Sequence, residues 1–403
     1  MRIVPRHNVN WGRGEALETL RGLWGVDEEA VGRFERAFAA FHEWQGGPCL
    51  QALVFSSGRA ALYMALRGLG IGVGSRVGIP AYTFYTLPAV VEALGAIPIF
   101  LPCDARTYAL SPERVEGMLE GLSALLVLHP FGQSAPMEPL LRACAARDIS
   151  VVEDPSQSMG ACYGGRRVGG LGRVGVFSLV SGKNLTTGGG GILLTSDAEL
   201  MERVRAESRS LAVQEGGGRR VRETWQECLL TTRVGYAGMV FPVFWMLNWG
   251  ARGRLDALFE EEPCPLDPAR DVRRLDPIQA SLGGVQLSRL DNLNGRRRAN
   301  AERLLGQLVG VRGLELPQVV EGCEPTYNAV AVRVLGSKVG LSAREVRRRL
   351  LVCGIDTRED YMRWYGEGEP RRDEVLYLPN HPGLSGEDMD WVAWGLRRVL
   401  RTG

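Results

Sequence analysis

The chain has 403 residues, 45% hydrophobic and 23% charged, the balance of a globular protein with a sizeable core and, at about 150 residues each, room for two or three units. Its 48 basic and 46 acidic residues leave a net charge of +2, and their interleaving offers no basic face of the kind that binds nucleic acid. Eight cysteines without a CxxC pair argue against zinc and against a disulfide framework, and fit reduced thiols in a cytoplasm. The opening MRIVPRHNVNWGRGEALETL lacks the apolar stretch of a secretory signal.

After this polar arm, EEAVGRFERAFAAFHEW reads as an amphipathic helix. From about residue 48 to 200, short apolar runs alternate with helix-length segments. The candidate strands are ALVF, SRVGIP, IPIFLP, ALLVLHP, ISVVED, VGVFSLV and GILLTS, and SGRAALYMALRGLG, YTLPAVVEALG and MEPLLRACAARD are helical between them. This predicts an α/β fold with a mostly parallel sheet flanked by helices, and a ligand at the carboxyl ends of its strands. A long basic helix, GGVQLSRLDNLNGRRRANAERLLGQLV, then leads to the strand YNAVAVRV and the helices SAREVRRRLLVCG and GEDMDWVAWGLRRVL. The expected division is an N-terminal arm and large domain over residues 1–290 and a smaller C-terminal α/β domain over 291–403. The arginine triplets Arg296 to Arg298 and Arg347 to Arg349 read as solvated helix faces.

Residues 234–251, VGYAGMVFPVFWMLNWGA, carry no charge and belong to an expected apolar insert at about 214–262. As one helix the segment would be about 27 Å long, near the roughly 30 Å of a bilayer core. Its glycines and Pro242 favour a buried or dimer-interface helix, then a surface that meets lipid or an apolar substrate, over a true span.

Lys183 stands in SLVSGKNLTTGGGG. A phosphate loop would need a glycine where Phe177 stands and Ser or Thr where Asn184 stands, so that reading fails. GLGRVG, residues 170–175, has the spacing of a dinucleotide loop but precedes a strand instead of a helix. Asp154, 29 residues before the lysine, closes the apolar run ISVVED at a strand end. A carboxylate facing a lysine across such a crevice suits pyridoxal phosphate: the lysine holds the aldehyde as a Schiff base and the aspartate keeps the ring nitrogen protonated. Ser56, Ser57 and Gly58, between a strand and a helix, suit its phosphate, with Arg59 adding charge and Ser178 a further ligand. Tyr82, Phe84 and Tyr85 offer an apolar ring face, although packing alone could claim one or two of them.

With these residues in place, the chain resembles the DegT/DnrJ/EryC1/StrS family of pyridoxal phosphate-dependent sugar aminotransferases, on the aspartate aminotransferase type I fold. The resemblance is carried by SSGRAAL, PAYTFYTLPAVVEALGAIPIF, HPFGQSAPMEPL, VVEDPSQSMGACYGGRRVGGLGRVGVFSL, SGKNLTTGGGGILLT, IQASLGGVQLSRLDNLNGRRR, GIDTRED and LPNHPGLSGEDMDWV. It implies Lys183 as the catalytic amine and Asp154 as the partner of the ring nitrogen. It further implies Gln157 on the ring hydroxyl, Phe84 stacked on the ring, and Ser57, Gly58 and Ser178 around the phosphate. Glutamate or glutamine as amino donor, a keto-sugar acceptor and a homodimer with shared active sites follow from the same resemblance. The chain departs from the family pattern at Arg59, at Arg273 and Arg274, and at Met362, Arg363 and Trp364, which puts an ordinary nucleotide-sugar acceptor in question. A lipid-linked or apolar ketone is the alternative acceptor, and a regulatory protein that keeps the fold is the alternative class.

Overall fold

Seven five-residue apolar runs build the central sheet: β1 (Gln51–Phe55), β2 (Arg76–Pro80), β3 (Ile97–Leu101), β4 (Ala124–Leu128), β5 (Ser150–Asp154), β6 (Val174–Ser178) and β7 (Gly191–Thr195). The structure is a computed structural model and describes residues 2–25, 27–250, 265–365 and 374–401. The strands lie in the order β1-β7-β6-β5-β4-β2-β3. Neighbours from β6 to β3 are parallel, while β7 runs antiparallel to both β1 and β6. All seven expected strands are present, and the sheet is mostly parallel as the alternation predicts. Every residue of β4 and β7 is buried, which requires cover on both faces.

One face is covered by α3 (Gly58–Gly68), whose Ala61, Met64 and Leu66 join Val77, Ile79 and Leu126 in a single core. On the other, Phe34 and Phe38 of α2 (Ala30–His42) pack with Val54, Ile192 and Leu287. The N-terminal arm also contains a helix, α1 (Arg13–Trp24), capped by Glu15, whose carboxylate accepts the Gly12 amide at 2.8 Å.

Residues 234–250 do not form one regular α-helix. A π turn over Tyr236–Val240 leads into α4 (Phe241–Gly250), and the ladder shifts just where Pro242 lacks an amide to donate. Tyr236, Phe241 and Leu351 form a small core on one side. The other side exposes Val234, Met239, Val243 and Met246, together with Leu229 of the preceding helix. Among the described residues no helix is long and apolar enough to cross a membrane. Residues 251–262 of the expected insert lie outside the described residues.

Asp276 and Pro277 form a cap-plus-proline start for α5 (Pro277–Leu308), so the helix begins six residues before the expected Gly283. The boundary expected at residue 290 falls inside this helix. Beyond it, β8 (Leu314–Glu315), β9 (Val330–Val334), β10 (Arg358–Glu359) and β11 (Val375–Leu378) form an antiparallel sheet in the order β8-β9-β11-β10. Helices α6 (Ala343–Val352) and α7 (Gly386–Arg401) and the end of α5 share its core. The arginine triplets are not wholly solvated. Arg297 and Arg347 are each only 4% exposed, because the 3.6-residue period turns the middle of each triplet inward. Arg347 meets Glu359 at 2.9 Å.

Candidate active site

Because β7 reverses between β1 and β6, β1 points the same way as the parallel strands. The carboxyl ends of β1, β2, β5 and β6 therefore share one edge of the sheet, and most of the expected site residues follow them. Ser57, Gly58 and Arg59 come after β1, Phe84 after β2, Asp154 and Gln157 at and after β5, and Ser178 and Lys183 at and after β6.

Two contacts draw the phosphate candidates together. Ser57 bridges Gly190, and Ser57 Oγ caps α3 by accepting the Ala60 amide at 3.1 Å. A Cβ on Gly58 would lie 2.9 Å from Cβ of Ser178, so only glycine lets the first turn of α3 approach the end of β6 so closely. The Arg273 and Arg274 backbone also reaches this edge: Ser56 N–H donates to the Arg273 carbonyl at 2.9 Å and Arg274 bridges Phe55. Their side chains turn to carbonyls, Arg273 to Val272 and Arg274 to Leu211, both at 3.1 Å.

Asp154 is 8% exposed. Its Oδ1 accepts the Ser156 amide at 3.0 Å, and Oδ2 has no partner among the described residues. Its neighbour Glu153, on the opposite side of the strand, is wholly buried. Glu153 accepts amides from Gly169, Leu171 and Gly172 at 2.6 to 2.7 Å and Nε2–H of His129 at 3.1 Å. The His129 tautomer is set by the Ala135 amide, which donates to Nδ1 at 3.0 Å. Burial alone would raise the Glu153 pKa, but the His129 hydrogen bond, with the amides, outweighs it and holds the carboxyl below its ordinary value. GLGRVG thus has a structural task, presenting amides to a buried carboxylate.

The aromatic candidates divide. Tyr82 is 1% exposed, and its hydroxyl donates to Asp360 Oδ2 at 2.9 Å. Phe84 is half-buried between Tyr85 and Tyr361, with ring centroids 4.5 and 5.9 Å away. Gln157 is turned into protein contacts, its Oε1 accepting the Phe131 amide at 2.9 Å and its Nε2 lying 3.5 Å from the Met362 sulfur. Arg363 and Trp364 pair antiparallel with Thr83 and Tyr82. All three departures from the family pattern after GIDTRED thus touch the segments that carry Gln157 and Phe84.

Lys183 lines a cavity of about 390 Å³ between the strand ends, the N-terminal arm and the second sheet. The wall also contains Arg6, His7, Glu227, Arg297, Arg358 and His381, none of which was expected at the site. Asp154, Phe84 and Ser178 are not part of this wall. Ser181 Oγ donates to Glu227 Oε1 at 2.7 Å, and His7 Nε2 lies 2.9 Å from the same oxygen. Burial would raise the Glu227 pKa, yet His7 and Ser181 bring it below its usual value. Asn184, next to the lysine, donates to Asn294 Oδ1 at 2.8 Å. His381 is pushed down to about 3, by burial first and then by His7 and Arg297, which makes it a neutral wall residue. Nothing local gives these positions a role at the site: they lie in the arm, the helix Gly217–Thr231, α5, and the second sheet with the loop after β11, and only long-range pairing assembles them.

Residues 12–397 match the DegT/DnrJ/EryC1/StrS aminotransferase family. The chain is similar to the L-glutamine:2-deoxy-scyllo-inosose aminotransferase of Streptomyces fradiae, at 33% identity over 80% of this chain and 66% of that protein. It is also similar to the GDP-perosamine synthase of Caulobacter vibrioides, at 32% identity over 98% of this chain and 97% of the relative. Among solved structures, that of S. venezuelae DesV in complex with a ketimine intermediate superposes with a TM-score of 0.71 at 29% identity, over 96% of this chain and 94% of DesV. The chain belongs to the DegT/DnrJ/EryC1/StrS aminotransferase family and is a pyridoxal phosphate-dependent aminotransferase.

Proposed function

We propose that the protein moves an amino group from L-glutamine or L-glutamate to the ketone of a keto-sugar, with Lys183 as the catalytic amine. The observation that carries this reading is the gathering of Lys183, Asp154, Ser178 and the Ser57 helix start on one carboxyl edge of the sheet. The names of the relatives support the donor and the sugar-like acceptor. The residues fit the cofactor: Asp154, 8% exposed, has its Oδ2 without a donor among the described residues and so open to a ring N–H, and the approach at Gly58 leaves helix-start amides beside Ser178 for a phosphate.

When bound, pyridoxal phosphate supplies the electron sink and carries the amino group between the two halves of the reaction. Asp154 holds a proton at the ring nitrogen. Ser57, Gly58, Ser178 and the Arg59 guanidinium grip the phosphate, and Phe84 supplies an apolar face. Lys183 Nζ takes the proton from the donor Cα in the first half and returns one to the acceptor carbon in the second. To do so the amine must titrate well below about 10, the ordinary lysine value, once a cationic ring lies beside it. Gln157 supports the site through Phe131 and Met362, and its amide is the candidate for the ring hydroxyl. The reading also takes residues 1–290 as the cofactor-binding unit, 291–403 as the smaller one, and a homodimer as the assembly. A reducing cytoplasm suits the seven described cysteines, all of them free. Lys183→Ala should abolish amino transfer from glutamine to a keto-sugar, followed by mass spectrometry of the aminated product. Turnover retained in that variant overturns the assignment.

A second reading, an apolar or lipid-linked ketone as acceptor, is favoured by the exposed side of residues 229–246. Val234 is 84% exposed, Met246 66% and Met239 and Leu229 65% each, an apolar surface that water alone does not explain. Sedimentation with phosphatidylcholine vesicles decides it. Binding that is lost in the Met239→Asp, Met246→Asp double variant supports the reading, and a wild type that stays in the supernatant refutes it.

A further inference from the structure

Arg297 sits on the inward side of α5, 4% exposed, in the wall of the cavity that Lys183 lines. A guanidinium in such a place ordinarily faces a carboxylate, because an uncompensated buried charge is expensive. Here its one partner among the described residues is neutral: Nη1 donates to Asn294 Oδ1 at 3.0 Å. Asn294 is itself fixed, donating through Nδ2 to the Met159 carbonyl at 3.0 Å and accepting from Asn184, the residue after the lysine, at 2.8 Å. The guanidinium is therefore held by an uncharged side chain one turn away on the same 32-residue helix. The acidic side chain of the wall, Glu227, is already engaged by His7 and Ser181. Burial draws the Arg297 pKa down to about 10, which still leaves the side chain cationic at neutral pH.

We infer that Arg297 is the anchor for a substrate oxyanion in this cavity, either a carboxylate of the amino donor or a phosphate of the acceptor. The inference rests on the aminotransferase reading for what enters the cavity, not for the existence of the anion site. The five donors of a guanidinium are fixed in a plane that matches a carboxylate or phosphate edge, and a hydrogen bond between opposite charges in a shielded cavity is stronger than a neutral one. Asn294 accepts without neutralising, so the charge stays available for the ligand while the side chain stays aimed. His381, neutral beside it, adds no competing charge.

The test is calorimetric titration of the cofactor-loaded wild type with glutarate and, separately, with inorganic pyrophosphate. The titrations are repeated on Arg297→Gln and on Asn294→Asp, which leaves the arginine in place but gives it an internal counter-ion. At least one of the two anions should bind the wild type, and its affinity should fall about tenfold or more in both variants, equivalent to about 1.4 kcal/mol. The cofactor absorption and melting temperature should meanwhile stay close to those of the wild type. Loss confined to glutarate assigns the donor carboxylate, and loss confined to pyrophosphate assigns an acceptor phosphate. A wild type that binds neither anion, or variants that bind as the wild type does, overturns the inference. Should Arg297→Gln not fold, Asn294→Asp decides alone. The shift of the cofactor band on adding glutamine is read separately, so failure of the aminotransferase reading is distinguishable from failure of the anion site.

Discussion

Two adjacent carboxylates on β5 show how one residue of offset changes a role. Alternation along a strand sends Glu153 and Asp154 to opposite faces. Glu153 meets three amides and His129 and is saturated, whereas Asp154 keeps one oxygen in want of a donor. The first is saturated by the protein, and the second is the one the proposed function assigns to the ring nitrogen. Glu153 has a folded pKa below its ordinary value, so its contribution to stability is present above the unfolded carboxyl pKa, about 4.3. That contribution is lost as pH falls through the lower folded value. Glu153→Gln should cost about 3 kcal/mol at pH 7, with the deficit shrinking as both proteins are acidified below about pH 4. Thermal melts across that range check this, and equal melting temperatures at pH 7 would contradict it.

At the scale of elements, α5 ties the two sheets together. Its inward side carries Gly283 against the Phe34 ring, where a Cβ would lie 2.5 to 2.8 Å from three ring carbons. The absence of a side chain lets α2 and α5 pack at close range, and Gly283→Leu should destabilise the fold by at least about 1 to 3 kcal/mol, measured by urea denaturation. An unchanged midpoint would show that the two helices have slack. The seven strands and the main helices were legible in the sequence because each is a local run with its own period and punctuation. The stretch from Asp154 to Gly191 was legible for a related reason: its chemistry is contiguous in sequence, running from the end of β5 through β6 to the start of β7. The cavity wall was not, since Arg6, Arg297, Arg358 and His381 are far apart in the chain and nothing local shows that they converge on one cavity. The middle arginine of a triplet is the clearest instance, because a charge run conceals which member faces inward. GLGRVG failed in the opposite way, its spacing inviting a nucleotide reading when its amides serve Glu153.

For the whole molecule, the N-terminal arm, the strand-end edge and the second sheet converge on Lys183. The arm supplies His7 to Glu227, and its Trp11 indole donates to the Thr186 carbonyl at 3.1 Å, fastening the loop that follows the lysine. The same architecture that places the amine thus closes the space around it. The central claim is that this amine works on pyridoxal phosphate with an amino-acid donor. The most direct measurement is the absorption spectrum of the purified, cofactor-loaded protein before and after excess L-glutamine or L-glutamate, alongside Lys183→Ala. The account predicts a band near about 410 to 430 nm in the wild type that gives way to one near about 330 nm with at least one donor, and no such shift in the variant. A wild-type spectrum that stays unchanged with both donors, or a variant that responds as the wild type does, would contradict it.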